Sequence, residues 1–325
     1  MNKHLLLALT LCASLHGYGQ KMHQLASPDG NIQVSINISD KIYYDIVCQK
    51  DTLLKQCNLQ MQLGDEEAGN HPKLIKANRK SINESLKPII ALKHSTVSNK
   101  YNQLQLKFKG DYSVEFRAFD DGIAYRFITN KKGMIEVGNE IFQVNFPENY
   151  LLHMQQPGGF KTAYEEEYRH VQSQEWKATG SMALLPLLID TRKDYKILIS
   201  ESALTDYPAL FLKSNDRNGM LSVFPKVPLE FGEDGDRSLK ILKEANYIAK
   251  TNGQRCFPWR YFVITKDDGQ LIENTMTYKL ADKNVLEDTS WIKPGLASWE
   301  WWNGATPYGP VSYTHLRAHE TLRHL

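Results

Sequence analysis

Apolar residues recur at every second position through most of this chain, and that period dictates strands. Ile32, Val34, Ile36 and Ile38 alternate with polar neighbours, as do Leu104, Leu106 and Phe108, then Tyr112, Val114 and Phe116. Tyr125-Arg126-Phe127, Ile141–Phe146, Ile197–Ile199 and Leu221–Val223 carry the pattern on to about Phe262. Successive side chains of a strand point to opposite faces, so alternation marks strands with one face buried and one wetted. Turn residues separate the runs at Pro28-Asp29-Gly30, Gly110-Asp111 and Asp120-Asp121-Gly122. Antiparallel sheets follow. So many strands in one stretch predict a mainly β fold, a large antiparallel two-sheet sandwich over residues 21–280.

The pattern changes after Thr265. Asp268 is placed to cap a helix running from about Gln270 to Leu280, with Leu271, Ile272, Met276 and Leu280 on one side. Residues 281–290 are polar and acidic and read as a linker. Trp291-Ile292-Lys293-Pro294-Gly295 begins something new, and Leu296–Trp302 has the composition of a first strand in a second domain spanning 291–310. The final stretch, 311–325, fits neither domain and reads as a non-native tail. It contains His315 and His319, four apart, but a zinc site needs further ligands and a scaffold to hold them.

At the other end, residues 1–20 have a basic start, an apolar run Leu5–Leu15 and small, turn-like residues up to Gln20. The run is too short to span a membrane and right for a secretory signal peptide. An exported protein, periplasmic or extracellular, is expected, with no membrane span. Leu11 before Cys12 is not the small residue that lipoprotein processing wants. Of the remaining cysteines, Cys48 and Cys57 can pair only if they flank a hairpin at Asp51-Thr52; otherwise Cys48, Cys57 and Cys256 serve as small buried apolar residues. The formal net charge is +2, with acids and bases interspersed. Nucleic-acid sites concentrate Lys and Arg on one face, so nucleic acid is not expected as a partner.

Four groups of residues are candidates for chemistry, the second and third of them read mostly as structural. Tyr164-Glu165-Glu166-Glu167-Tyr168 follows a Pro157-Gly158-Gly159 turn; carboxylate oxygens suit a hard cation, while three adjacent carboxylates also suit a solvated face. In Phe116-Arg117-Ala118-Phe119-Asp120-Asp121-Gly122, the glycine supplies positive φ and Arg117 can pair with a turn carboxylate. In Glu201-Ser202-Ala203-Leu204-Thr205-Asp206-Tyr207, Asp206 and Tyr207 are read as holding a loop by local hydrogen bonds. Finally, Trp299, Trp301, Trp302 and Asn303 cluster within five residues, and flat indole faces suit a sugar ring as well as a core.

In order along the chain, these pieces resemble glycoside hydrolase family 97. The resemblance runs through Ser27-Pro28-Asp29-Gly30, the Phe116–Phe127 segment, Tyr164-Glu165, Glu201–Tyr207, Pro258-Trp259-Arg260, Ser290–Pro294 and Trp301-Trp302-Asn303. It implies a galactose-mutarotase-like β-super-sandwich followed by the first strand of a truncated (β/α)8 barrel. It further implies a Ca2+-dependent enzyme acting on α-glucosidic or α-galactosidic linkages, with an oligosaccharide or α-glycoside as substrate. Glu165 matches a family glutamate that reaches from the sandwich to the metal, with Glu166 as the fallback. Trp301, Trp302 and Asn303 would then lie at the end of the first barrel strand, where substrate-facing residues are placed.

The family's catalytic carboxylates lie deep in the barrel, so no catalytic residue is assigned in this chain, and the chain is expected to be inactive as it stands. The Trp-Trp-Asn ending leans toward the retaining, α-galactosidase-like branch. Two other readings compete. One is a non-catalytic carbohydrate-binding sandwich. The other is a mutarotase-like epimerase, which needs an acid/base pair of His with Glu, here His153 or His170 with one of the flanked Glu165–Glu167.

Overall fold

The alternating runs become strands that bury every second side chain. Ile32–Ile38 turns Ile32, Val34, Ile36 and Ile38 inward, and its antiparallel partner Ile42–Cys48 does the same with Ile42, Tyr44, Ile46 and Cys48. A computed structural model describes residues 21–91, 93–235 and 238–296. The leader at 1–20, the barrel strand expected at Leu296–Trp302 (apart from Leu296 itself), the aromatic cluster with Trp301, Trp302 and Asn303, and the tail at 311–325 lie outside the described residues.

Seventeen strands form one continuous hydrogen-bonded ladder that folds into the sandwich, and every pairing among them is antiparallel. Its spine is the 24-residue strand Gly122–Asn145. The first half of that strand lies between Tyr112–Phe119 and Trp259–Thr265. The second half lies between Asp51–Leu63 on one edge and, on the other, Ala249–Cys256 up to Val137 and Gly219–Val223 at its end. The buried side chains of these strands meet in one large core. Through it runs an aromatic series, Tyr44 to Tyr125 at 5.7 Å, Tyr125 to Phe142 at 6.2 Å and Phe142 to Phe262 at 5.7 Å between ring centroids.

Alternation fails at Trp259–Thr265, where all seven residues are buried. One face of this strand sends Phe262 and Ile264 into the main core. The other sends Trp259, Tyr261 and Val263 into a second cluster with Tyr101, Phe119, Met276 and Leu280. The cover on that face is helical. The single helix expected from Gln270 to Leu280 is in fact two, α1 (Asp268–Glu273) and α2 (Met276–Leu280).

Asn274 makes the break. Its backbone is extended, its side-chain carbonyl accepts from the Met276 amide at 2.8 Å, and its amide donates to Asp121 at 3.2 Å. The N-cap is Asp267 rather than Asp268, accepting from the Gly269 amide. Met276 and Leu280 are buried as expected, whereas Ile272 faces solvent at 70% exposure. Burial of two such side chains contributes about 3–6 kcal/mol, which holds so short a helix in place when propensity alone would not.

Two compact units are distinguished. The first, residues 21–86 and 96–282, holds all of the strands and both helices. The second includes 87–95 and 283–296, where Val285 and Trp291 are exposed. Outside the ladder, Pro228–Glu233 and Leu239–Glu244 pair as a separate two-stranded ribbon.

Among the described residues, Cys48, Cys57 and Cys256 are free thiols. Cys48 lies opposite Asp51, so the hairpin turn falls at Gln49-Lys50, while Cys57 lies opposite Tyr44, four residues before Cys48. Cys48 and Cys57 are buried, whereas Cys256 is exposed, contrary to the expectation that all three are buried.

Candidate functional site

Two of the segments singled out in the sequence, those around Arg117 and Glu201, meet the strand Trp259–Thr265 and hold the sandwich. The guanidinium of Arg260 is wholly buried. Its Nε and Nη2 each donate at 2.8 Å to the carboxylate of Glu140, and Nη1 donates to Glu201. Glu201 also accepts from the Leu210 amide at 3.2 Å, which ties the 203–210 loop to the strand Lys196–Ser202. Burial pushes the Glu201 carboxyl above its ordinary range, against the pull of Arg260. Two carboxylates here share one guanidinium, so the cluster is left with a surplus of negative charge, and raising one of the acids relieves it.

On the other face of the same strand, Trp259 is clasped by two cations. The guanidinium carbons of Arg117 and Arg126 lie 4.4 and 4.2 Å from its ring centroid. Both arginines pair with Glu115, at 2.9 Å from Arg117 and 3.1 Å from Arg126. Arg117 therefore pairs within its own strand rather than with a turn carboxylate. Of the turn acids, Asp121 takes Lys279 at 2.8 Å, and Asp120 accepts the Asp29 amide at 2.8 Å, joining two turns 91 residues apart. Gly122 supplies the positive φ expected of it, at +159°, and glycine is further required because a Cβ would lie 2.1 Å from the Phe262 carbonyl oxygen.

Asp206 bonds far along the chain rather than locally, accepting from Thr251 at 2.8 Å. Tyr207 is packed edge-on against Phe257, with ring centroids 5.4 Å apart.

The Tyr164–Tyr168 group behaves differently. It lies in the loop 156–167 that links the strands Leu151–Gln155 and Tyr168–Gln172. Phe160 and Tyr164 both pack on Phe211, at 5.0 and 5.9 Å, and the Tyr164 hydroxyl donates to the Phe160 carbonyl. Tyr164 has a φ of +58°, an uncommon left-handed conformation for a bulky residue. Glu165, Glu166 and Glu167 are all exposed. No described hydrogen bond or ion pair engages the Glu165 carboxylate, whereas the Glu166 carbonyl is held by Gln155 at 2.5 Å. A free carboxylate on an anchored loop fits a single hard-cation ligand. Among the described residues, no group of three or more His, Cys, Asp or Glu is arranged to hold a metal, so any further ligands lie elsewhere.

The stem of that loop carries the two histidines of the epimerase reading. His153 and His170 are directly opposite across the strand pair, with their Nδ1 atoms 2.7 Å apart. Burial, then the neighbouring His170, holds His153 below the usual imidazole range. An acid/base pair of that kind needs a carboxylate with the histidine, and the structure pairs imidazole with imidazole instead.

Sequence reasoning missed Glu140. Its signal was present, because Glu140 shares the inward parity of Phe142 and Val144, and a carboxylate at a core position calls for a buried partner.

Comparison with known proteins places this arrangement. A family model described as glycosyl-hydrolase 97 N-terminal matches residues 25–282. The chain is 33% identical over 315 residues to a retaining alpha-galactosidase of Bacteroides thetaiotaomicron, covering 93% of this chain and 47% of that protein. It is 28% identical over 213 residues to a probable retaining alpha-galactosidase of Streptomyces bingchenggensis, covering 64% of this chain and 29% of that one. Among solved structures, a glycoside hydrolase family 97 enzyme from Pseudoalteromonas sp. strain K8, in complex with acarbose, superposes with a TM-score of 0.71. That match has 23% identity and covers 84% of this chain and 40% of the other. A beta-arabinopyranosidase superposes at 0.60 with 19% identity, over 75% of this chain and 40% of that one. The chain spans less than half the length of each of these relatives.

Proposed function

Because the chain belongs to glycoside hydrolase family 97, through the N-terminal domain that fills residues 25–282, we propose that it is the N-terminal part of an exported, calcium-dependent hydrolase of α-galactosidic or α-glucosidic linkages. The observation that carries this reading is the match to a retaining alpha-galactosidase over 93% of the chain. Two curated relatives are named a retaining and a probable retaining alpha-galactosidase, which supports the retaining, α-galactoside-cleaving branch over the inverting one. The leader-like residues 1–20 support export. No helix of the described residues is long and apolar enough to cross a membrane.

Cleavage of a glycosidic bond with retention needs two carboxyl groups about 5–5.5 Å apart, one acting as acid and one as nucleophile. Neither is assigned to the sandwich, where the best-placed acids, Glu140 and Glu201, are committed to Arg260. The sandwich contributes support and one ligand. Glu165 offers a free carboxylate oxygen from a loop pinned by Phe160 and Tyr164 on Phe211, and Glu166 stands beside it. Calcium bound there would supply a positive charge near the reacting sugar. Trp301, Trp302 and Asn303 are the proposed sugar-facing residues, through the flat face of indole. Residues 1–325 alone are proposed to lack turnover.

The test begins by resequencing the genomic locus across the codons for Asn303–Val311 and expressing the protein that its frame encodes. We expect hydrolysis of 4-nitrophenyl α-galactoside, its loss in a chelator, recovery with Ca2+, and a raised Ca2+ requirement in Glu165→Gln. Turnover indifferent to chelation would sink the calcium reading. Sugar binding by residues 21–280, together with no continued frame, would favour the carbohydrate-binding sandwich.

A further inference from the structure

His153 and His170 form a preorganised pair of nitrogen donors at a place where the hydrolase reading gives them no task. The strand Leu151–Gln155 that carries His153 is hydrogen-bonded on both edges, to Tyr168–Gln172 and to Leu187–Asp190. The backbone beneath the first imidazole is thus fixed, and the antiparallel register sets His170 directly across from it. The rings stand edge-to-face with centroids 4.7 Å apart, and the same nitrogen of each, Nδ1, points at the other across 2.7 Å.

Two neutral imidazoles can share that gap only if one donates and the other accepts. A metal held through bonds of about 2.0–2.1 Å would set the two donors roughly 2.9 Å apart in a square-planar cis site, or about 3.3 Å apart in a tetrahedral one. The observed gap is a few tenths of an ångström short of the first. A small rotation of the exposed His170 ring supplies the difference.

We propose that His153 and His170 are a cross-strand chelate for a divalent transition metal of the Zn2+, Ni2+ or Cu2+ type, closing the stem of the loop that carries Glu165. Imidazole nitrogen selects these ions over Ca2+, which takes oxygen ligands. His153 is half-buried and His170 exposed, so an ion reaches both and water completes its coordination. The charged groups that act on His153 are mixed, with Asp190 favouring a cation and Arg192 and Lys196 opposing it. On binding, the ring that carries its proton on Nδ1 moves it to Nε2 through solvent, so two neutral imidazoles bind without net proton release. The loop spans residues 156–167, and His153 and His170 sit two residues outside its two anchoring strand ends, Gln155 and Tyr168. A clip at this position removes conformational freedom from the loop. The chelate itself stands apart from the hydrolase reading; only its bearing on Glu165 rests on it.

The experiment is a titration of the full chain, free of any affinity tag, with ZnCl2 and CuCl2 in calcium-free buffer. Zinc is followed by histidine-selective 1H–15N NMR, which reports the ten histidines one by one; copper is followed by electron paramagnetic resonance. His153 and His170 are expected to shift together and saturate at one zinc per chain, with a two-nitrogen copper signal. His153→Asn and His170→Asn should each weaken binding by about tenfold or more, at least what loss of an outer-shell partner costs. Both variants should keep the wild-type melting curve, which shows that the fold survives. Glu165→Gln should leave zinc binding unchanged, so that failure of the calcium reading and failure of this one remain distinguishable. Shifts confined to other histidines, or wild-type zinc affinity retained in either variant, would overturn the chelate.

Discussion

Arg260 closes two of its nitrogens on the carboxylate of Glu140, a residue 120 positions earlier, with both bonds at 2.8 Å and neither side chain more than 3% exposed. The pair ties the last strand of the sandwich to the second half of its spine, in the middle of an apolar layer. Removing one member of a buried ion pair leaves the other charged and dry, at a cost of about 3–5 kcal/mol. Glu140→Ala is therefore expected to lower the melting temperature by about 10 °C or more for a domain of this size. Calorimetry on the folded chain checks it, and a shift of only a degree or two would mean that Arg260 finds another route to water.

Glu201 shares that guanidinium but stands in the opposite thermodynamic position. Burial raises its folded-state pKa above the ordinary value of 4.5. A carboxyl raised on folding binds its proton more tightly in the folded state, so its contribution is fully present below about pH 4.5 and is lost as pH climbs through the raised value. Glu201→Gln fixes the neutral form and keeps an acceptor for the Leu210 amide. Its stability relative to wild type is therefore expected to improve steadily from pH 4 to pH 7 in urea melts. A difference that stays flat, or that falls with pH, would show that the bond to Arg260 outweighs burial.

Where one face of a strand is wet and the other dry, as in Ile32–Ile38, the alternation in the sequence names the buried residues directly. It cannot do so for Trp259–Thr265, because both faces are covered and the period vanishes. Nor does a helical stripe reveal that Asn274 will use its side chain to cap Met276 and split one helix into two. Contacts between distant segments, Arg260 with Glu140 or Asp29 with Asp120, depend on strand order, which the hydrophobic pattern leaves open. The histidine pair is of the same kind, since 17 residues separate the two rings and only the strand register brings them together. The role proposed for Glu165 rests on resemblance alone, since it is one of three adjacent glutamates with nothing local to distinguish it.

The cysteines offer a chemical check on the core. Burial pushes the Cys57 thiol up to about 12 and raises Cys48 as well, while Cys256 is exposed. At pH 8 the thiolate population of Cys57 is then about a thousandfold below that of an ordinary thiol, before access is considered. Alkylation of the native protein with iodoacetamide, mapped by mass spectrometry, is expected to label Cys256 first and Cys57 only after unfolding. Early label on Cys57 would place an opening in the sheet beside Asn145, whose amide lies 3.4 Å from that sulfur.

Gly122 tests how closely the spine and the last strand approach. It opens the long strand after the Asp120-Asp121 turn and pairs with Val263. An alanine methyl there would lie 2.1 Å from the Phe262 carbonyl oxygen and 3.1 Å from the Met276 methyl. Neither neighbour yields cheaply, because the carbonyl is backbone within a paired strand and Met276, the first residue of α2, is wholly buried. Overpacking of this kind costs about 1–3 kcal/mol, and here a backbone atom must move as well. Gly30 is the control, since its φ is +79° but nothing lies within 4 Å of its Cβ position, so Gly30→Ala bears only the left-handed backbone cost of about 1–2 kcal/mol. Gly122→Ala is expected to be the more destabilising of the two in urea melts and to loosen α2, seen as faster amide exchange at Met276–Leu280. If the two variants melt alike, the close approach is not what glycine serves at 122.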